Sequence, residues 1–346
     1  MNDRARNWLA TGLTLTIATA SGALFAAAGL PVPWLSGPMV AVGALAIAGH
    51  RVAMARQVRD LGFLVAGTAL GSTVNHEALA LLARYPVSII GLAAGVIAVV
   101  AATTLLLQRR HHWDRTTAFL ASIPGALSVV MAVAAESNAD ERRVVVVQSV
   151  RLFVLMVVLP FVIMLAPGVS AAVPRSVTSL PELAALFAAS TALALVFVWL
   201  RVVSALFLGG MVASAGLHLS GIIPDAVPDL VMQSGALVIG AYCGVRFVGT
   251  TGAQLVALLR PSLEALVITL GLSLIAALLV HALTGINLAA VLVAFAPGGL
   301  EAMVLMGAAM GLDTLYISTH HTVRIIGLML ATPVVTPRSS LTDPAE

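Results

Sequence analysis

VLVAFAPGGLEAMVLMGAAM, residues 291–310, places a Pro297-Gly298-Gly299 turn and one carboxylate, Glu301, inside an otherwise apolar run. A run of this length and composition reads as a helix that crosses a membrane. Proline deletes one helical hydrogen bond and the glycine after it lets the chain turn, so the segment is predicted to be helical on both sides of an unwound centre. AFLASIPGALSVVMAVAAES, residues 118–137, repeats the design 173 positions earlier, with Pro124 and Gly125 aligned to Pro297 and Gly298.

The match extends outward from these two turns. At the same offset Leu127, Asp140, Val150, Arg151, Leu155, Met156 and Pro160 coincide with Leu300, Asp313, Val323, Arg324, Leu328, Met329 and Pro333. Further upstream Gly37 and Gly43 fall on Gly210 and Gly216, and Gly62, Gly67 and Gly71 on Gly235, Gly240 and Gly244. Identities at one fixed spacing over such a length read as a duplication, with repeats at 1–173 and 174–346. Each half shows six apolar segments, the second and third of them short enough to form a broken or re-entrant pair. The expectation is therefore an all-α integral membrane protein of 10–12 transmembrane helices, built from two homologous repeats with Pro-Gly-broken helices.

Composition agrees. Hydrophobic residues are 60% of the 346 positions and charged ones 10%, against roughly 45–50% and 25% in a soluble domain, so a lipid bilayer is the expected surrounding. Alternating apolar and polar strands, the mark of a membrane barrel, are absent. The formal charge of +3 comes from 18 arginines without a lysine, scattered over short loops, which reads as a topology signal and not as a nucleic-acid stripe. In the first half they cluster at Arg51, Arg56, Arg59, Arg109, Arg110 and Arg115, and in the second at Arg201, Arg246 and Arg260, the loops equivalent to the other side. Opposite bias in matched halves predicts inverted repeats. The N-terminal apolar run after Arg4 and Arg6 reads as an uncleaved first span. A bacterial inner (plasma) membrane, crossed many times, is the expected location, and self-association as a homodimer is open to such a chain.

Candidate binding groups gather at the breaks. Unwound backbone at membrane depth persists only where it is buried in protein or lines a wet cavity, so Pro124, Gly125, Pro297, Gly298 and Gly299 are expected at a substrate or ion site, where a resuming helix aims its positive end at an anion. The bland alternative is a pair of packing kinks. Glu301 follows in the apolar helix, where a carboxylate is costly unless paired or hydrated; Ser128 stands at its matched position. Arg151 and Arg324 occupy equivalent depths, His321 precedes Arg324 by one turn, and Gln148 takes the place of His321. A cluster of Glu301, His321 and Arg324 is expected, for proton coupling or anion binding. Asp140 and Asp313 are expected to cap helices.

No catalytic motif, no metal-ligand spacing and no cofactor loop is present, and without lysine there is no Walker phosphate loop. Cys243 is the single cysteine, which excludes an internal disulfide.

The stretch Trp34 to Pro38 (WLSGP), Ala296 to Met303 (APGGLEAM), Gly311 to Asp313 (GLD) and His321 to Arg324 resemble the AbrB-type bacterial membrane proteins over nearly the whole chain. That family carries the labels of regulator of gene expression and of ammonia monooxygenase, and is distinct from the small soluble DNA-binding regulator of the same name. The resemblance implies a duplicated, transporter-like architecture. The leading functional expectation is a secondary transporter of a small solute, an anion among the candidates, with proton or ion coupling. The alternative is an AbrB-type membrane regulator acting indirectly on gene expression, without direct contact to nucleic acid. An enzyme has no motif to rest on, and a copper or iron site lacks ligands.

Overall fold

A computed structural model describes residues 3–74, 85–125, 130–131, 133–134, 137–164, 178–202 and 204–335. The described residues form thirteen helices: α1 (Asp3–Ala27), α2 (Pro33–Ile47), α3 (Arg56–Gly71), α4 (Tyr85–His111), α5 (Arg115–Ser122), α6 (Glu141–Met164), α7 (Leu180–Trp199), α8 (Ala205–Leu219), α9 (Asp229–Val245), α10 (Gly252–Thr284), α11 (Leu288–Phe295), α12 (Leu300–Ala309) and α13 (Thr314–Val335). There is no strand among them.

Among the described residues five helices are long and apolar enough to cross a membrane: Ala5–Ala27, Tyr85–His111, Glu141–Ile163, Leu180–Trp199 and Gly252–Thr284. Their outer faces are greasy. Ile90 and Ile97 on α4 and Val256, Val267, Leu279 and Leu283 on α10 are all exposed, while Ser88, Thr103 and Thr269 on the same two helices are buried. Polar inside and apolar outside is the arrangement for a hydrocarbon surrounding. The protein is a helical membrane protein.

The shorter helices are set by local signals. Asp114 accepts from the Thr117 amide (2.8 Å) to start α5, and Asn287 accepts from the Ala289 amide (2.8 Å) to start α11. Both are side-chain N-caps. Thr251 and Gln254 exchange reciprocal bonds at the start of α10, and Gly285, at φ 67°, ends it in the left-handed conformation that glycine adopts freely. Both ends of α11 lie 173 positions after those of α5.

The two halves of the chain interleave. α2 lies against α9 and α3 against α8, so each short helix of one half packs on the other short helix of its counterpart. α1 covers α2 as α7 covers α8. These short helices meet at glycines: a Cβ at Gly67 would stand 2.0 Å from the Phe207 carbonyl oxygen, and one at Gly240 would stand 2.2 Å from that of Leu35. No other residue permits that backbone approach, which is how helices gain close packing in lipid. α4 and α10 run antiparallel: Gly91 faces Val280 and Gly95 faces Ala276, Thr103 meets Thr269 at 3.4 Å, and His111 meets Glu264 at 2.9 Å. One hydrophobic core draws on both halves, including Met156, Phe207, Phe295 and Tyr316.

Candidate functional site

The two Pro-Gly segments are unwound. α5 stops at Ser122, and Ile123 is extended at φ −60°, ψ 120°; α11 stops at Phe295, and Ala296 is extended at φ −57°, ψ 135°. Each is the residue before a proline, where the pyrrolidine ring disfavours the helical conformation. Gly125 then turns the chain at φ 81°. The carbonyls at the ends of α5 and α11 thereby lose their helical donors and need others.

The last helix of each half supplies them. Arg151 Nη2 donates to Ile123 O (2.9 Å) and Gln148 Nε2 to Leu120 O (2.9 Å). On the other side Arg324 Nη1 donates to Ala296 O (2.7 Å), its Nη2 to Gly298 O (2.8 Å), and His321 Nε2 to Val293 O (3.0 Å). Ile123 and Ala296 are matched positions, as are Leu120 and Val293, so the same reach is made twice. A guanidinium at a helix C-terminus also meets the negative end of the helix dipole. Because a carbonyl only accepts, His321 carries its proton on Nε2; its Nδ1 accepts from Arg324 Nη2 at 2.6 Å.

The two turns meet. A Cβ on Gly125 would lie 3.3 Å from Arg324 Nη2 and 3.4 Å from Gly298 O. Pro124, Pro297, Phe295 and Arg324 line a partly open crevice with apolar walls from α4, Leu92 and Val96, and a hydroxyl from Ser273. Arg151 and Arg324 are both buried. Among the described residues no carboxylate lies within ion-pair distance of either, and the buried Arg324 Nε has no hydrogen-bond partner. Two buried positive charges and one unused donor beside a crevice are the makings of an anion site.

The family model described as "Transition state regulatory protein AbrB" matches residues 5–338. The chain belongs to the AbrB family. It is also similar to "Uncharacterized protein YhjN" of Bacillus subtilis (strain 168), 23% identical over 92% of this chain and 90% of that one. No solved structure matches it. Both breaks and both arginines of this AbrB-family chain lie within the matched span.

Of the residues singled out from the sequence, Pro124, Gly125, Gln148, Arg151, Pro297, Gly298, His321 and Arg324 come together at the crossing. Gly299 is the cap residue of α12, and Ser128 lies outside the described residues. The expected cluster of Glu301, His321 and Arg324 does not form. Glu301 is half-buried and its Oε1 accepts from Ser204 Oγ at 2.6 Å, at the start of α8. The unwound turn uncouples the rotation of α12 from that of α11, and packing set α12 with position 301 toward α8; spacing along the chain carries no information on that rotation. Asp140 and Asp313 do cap: they accept from the amides of Arg143 (3.1 Å) and Tyr316 (3.0 Å).

Sequence reading missed a polar cluster formed by Ser88, Tyr316 and His320, all fully buried. Ser88 and Tyr316 are 228 positions apart, and a lone serine in an apolar helix gives no signal beyond a satisfied backbone. His320, beside His321 in an apolar run, was the one pointer to it.

Proposed function

We propose that this AbrB-family protein is a secondary transporter of a small anionic solute in a bacterial inner membrane, with its binding centre where the two unwound segments cross. One observation carries the reading: Arg151 and Arg324, buried without a carboxylate partner among the described residues, hold the carbonyls of both breaks while Arg324 Nε faces no acceptor. Buried charge without compensation is unfavourable by several kcal/mol, and a bound anion removes the deficit. Carriers of this kind build a midplane site from paired discontinuous helices. The antiparallel course of α4 and α10, which hold matched places in the two halves, and the exchange of partners between α2, α3, α8 and α9 support an inverted relation between the repeats.

The experiment is reconstitution of the purified chain into liposomes with an internal pH dye and an imposed gradient of acetate, succinate or phosphate. Flux that Arg324→Gln removes while the protein remains folded supports the reading; no Arg324-dependent flux with any anion overturns it. The inverted relation is tested with single cysteines at Arg56 and at Asp229 in a Cys243→Ala background. Labelling from opposite sides by an impermeant thiol reagent supports it, and labelling from one side removes it.

The family's description as a regulatory protein favours a second reading, a membrane regulator acting indirectly on gene expression. It needs anion binding without flux, so the same liposomes separate the two.

A further inference from the structure

His320 Nδ1 lies 2.8 Å from the Tyr316 carbonyl oxygen. A carbonyl only accepts, so Nδ1 carries the proton and the neutral ring presents a lone pair at Nε2. Ser88 Oγ sits 2.8 Å from Nε2 and therefore donates to it. With that single hydroxyl proton committed, the bond between Ser88 and Tyr316 Oη has Tyr316 as donor. The three groups thus form a chain of one polarity, Tyr316 to Ser88 to His320, wholly enclosed. Its outer end lies toward the α12–α13 turn: Tyr85 packs edge-on against Tyr316, with ring centres 5.2 Å apart, and its hydroxyl points at Asp313 Oδ2 at 3.5 Å. Asp313 is half-buried, two positions from the exposed Gly311. At the inner end His320 is one residue from His321, the acceptor for Arg324.

We propose that His320 binds the coupling proton of an anion–proton symport, delivered along Tyr316 and Ser88. The inference rests on the anion reading above and adds to it the coupling ion, its site and its path. Ser88 passes its proton to Nε2, Tyr316 passes its own to Ser88, and Tyr316 Oη regains one from a hydronium ion of the solvent. One proton enters, both hydroxyls are restored, and the chain reverses, with cationic His320 donating to Ser88 and Ser88 to Tyr316. The chain is built once, from Ser88 of the first half and Tyr316 and His320 of the second, and none recurs at the matched position: Ser88 aligns with Pro261, Tyr316 with Arg143 and His320 with Val147.

Coupling follows from what faces the imidazole. α4 presents Tyr85 and Ser88, α11 presents the Phe295 ring, and α13 itself adds Tyr316, His321 and Arg324. Glu301 on α12 is turned to Ser204, and Asp313 stands at the far end of the chain. Arg324, one turn along α13, is the near charge, and it repels a second positive charge on His320. An anion at Arg324 cancels that repulsion, so each ligand favours the other.

The test uses detergent-purified full-length protein with 15N-labelled histidine, in weak buffer with an indicator dye near neutral pH. Acetate, succinate and phosphate are added in turn, and Arg324-dependent thermal stabilisation marks the anion that binds. The expected result is proton uptake with that anion, conversion of an Nδ1-protonated histidine signal to the doubly protonated form, loss of both in His320→Gln with anion binding retained, and slower uptake in Ser88→Ala. His50→Gln, on the exposed surface, leaves uptake as it was. Uptake that survives in His320→Gln, or that disappears in His321→Gln alone, overturns the proposal while the anion site stands. If no anion gives Arg324-dependent stabilisation, the anion site itself fails and this proposal with it.

Discussion

The break after α5 and the break after α11 share an extended residue before proline and an arginine cap, and differ at the glycine, where Gly125 turns at φ 81° and Gly298 takes no positive φ, and in the reach of the cap. In the first, among the described residues, Gln148 donates to the freed carbonyl Leu120 O and Arg151 to Ile123 O. In the second, Arg324 spans two carbonyls and His321, and its buried Nε is left without an acceptor. The planar guanidinium, with five donors in a fixed fork, holds all three acceptors through its two terminal nitrogens and keeps Nε spare, where an ammonium's three donors would all be taken. The comparison teaches that an arginine cap over a Pro-Gly break is common to both, while Gly299, Glu301 and His321 stand where Ala126, Ser128 and Gln148 do, and the polar chain behind His320 draws Ser88 from the first half.

That contrast can be broken. The largest effect is expected for Arg324→Ala: both carbonyls lose their donor and the anion loses its charge partner, lowering affinity by roughly a hundredfold and abolishing flux. Arg151→Ala should cost similar folding stability, about 2–3 kcal/mol for a buried acceptor left unmade, with a much smaller loss of anion binding. Thermal unfolding in detergent beside an anion titration separates the two, and equal loss of binding would make the site symmetric. Next, Gly67→Ala and Gly240→Ala should each destabilise by about 1–3 kcal/mol from overpacking against the Phe207 and Leu35 carbonyls. A drop of the melting temperature in only one of them would show that the short helices of the two halves are not equivalently packed.

His321→Gln recreates the side chain of the first copy at the second break. Its amide can keep the Val293 bond, so stability should change by less than about 1 kcal/mol while anion affinity falls because the acceptor that orients Arg324 is altered; an unchanged affinity would assign His321 to structure alone. The smallest effect is expected for Glu301→Gln, since an amide oxygen still accepts from Ser204 and position 301 lies away from Arg324. Anion stabilisation should survive it, and its loss would draw Glu301 back into the site.

Much of this was legible beforehand in particular residues. Pro124 and Pro297 announced the breaks because the residue before a proline is biased out of the helix and a glycine follows at once, and Ile123 and Ala296 did leave it, whereas Pro38, Pro160 and Pro261, without that glycine, stay inside helices. Asp140 and Asp313 announced helix starts because a cap is a local bond over three residues. Arg151 and Arg324 announced an interior position because lipid does not tolerate them outside. Glu301 misled, since its direction depends on how α12 was rotated after an unwound turn, and Ser88 was silent because its partners lie on another helix.

The sequence by itself determined a helical membrane protein with two matched Pro-Gly interruptions, since hydrophobic length, proline and glycine act within a few residues of themselves. Only the tertiary structure decided which freed carbonyl meets which arginine, that α2 packs on α9 and α3 on α8, that Glu301 turns to Ser204, and that Tyr316, Ser88 and His320 line up in one buried chain. Those are contacts between residues tens to hundreds of positions apart, selected by the packing of whole helices, and no local preference along the chain encodes them.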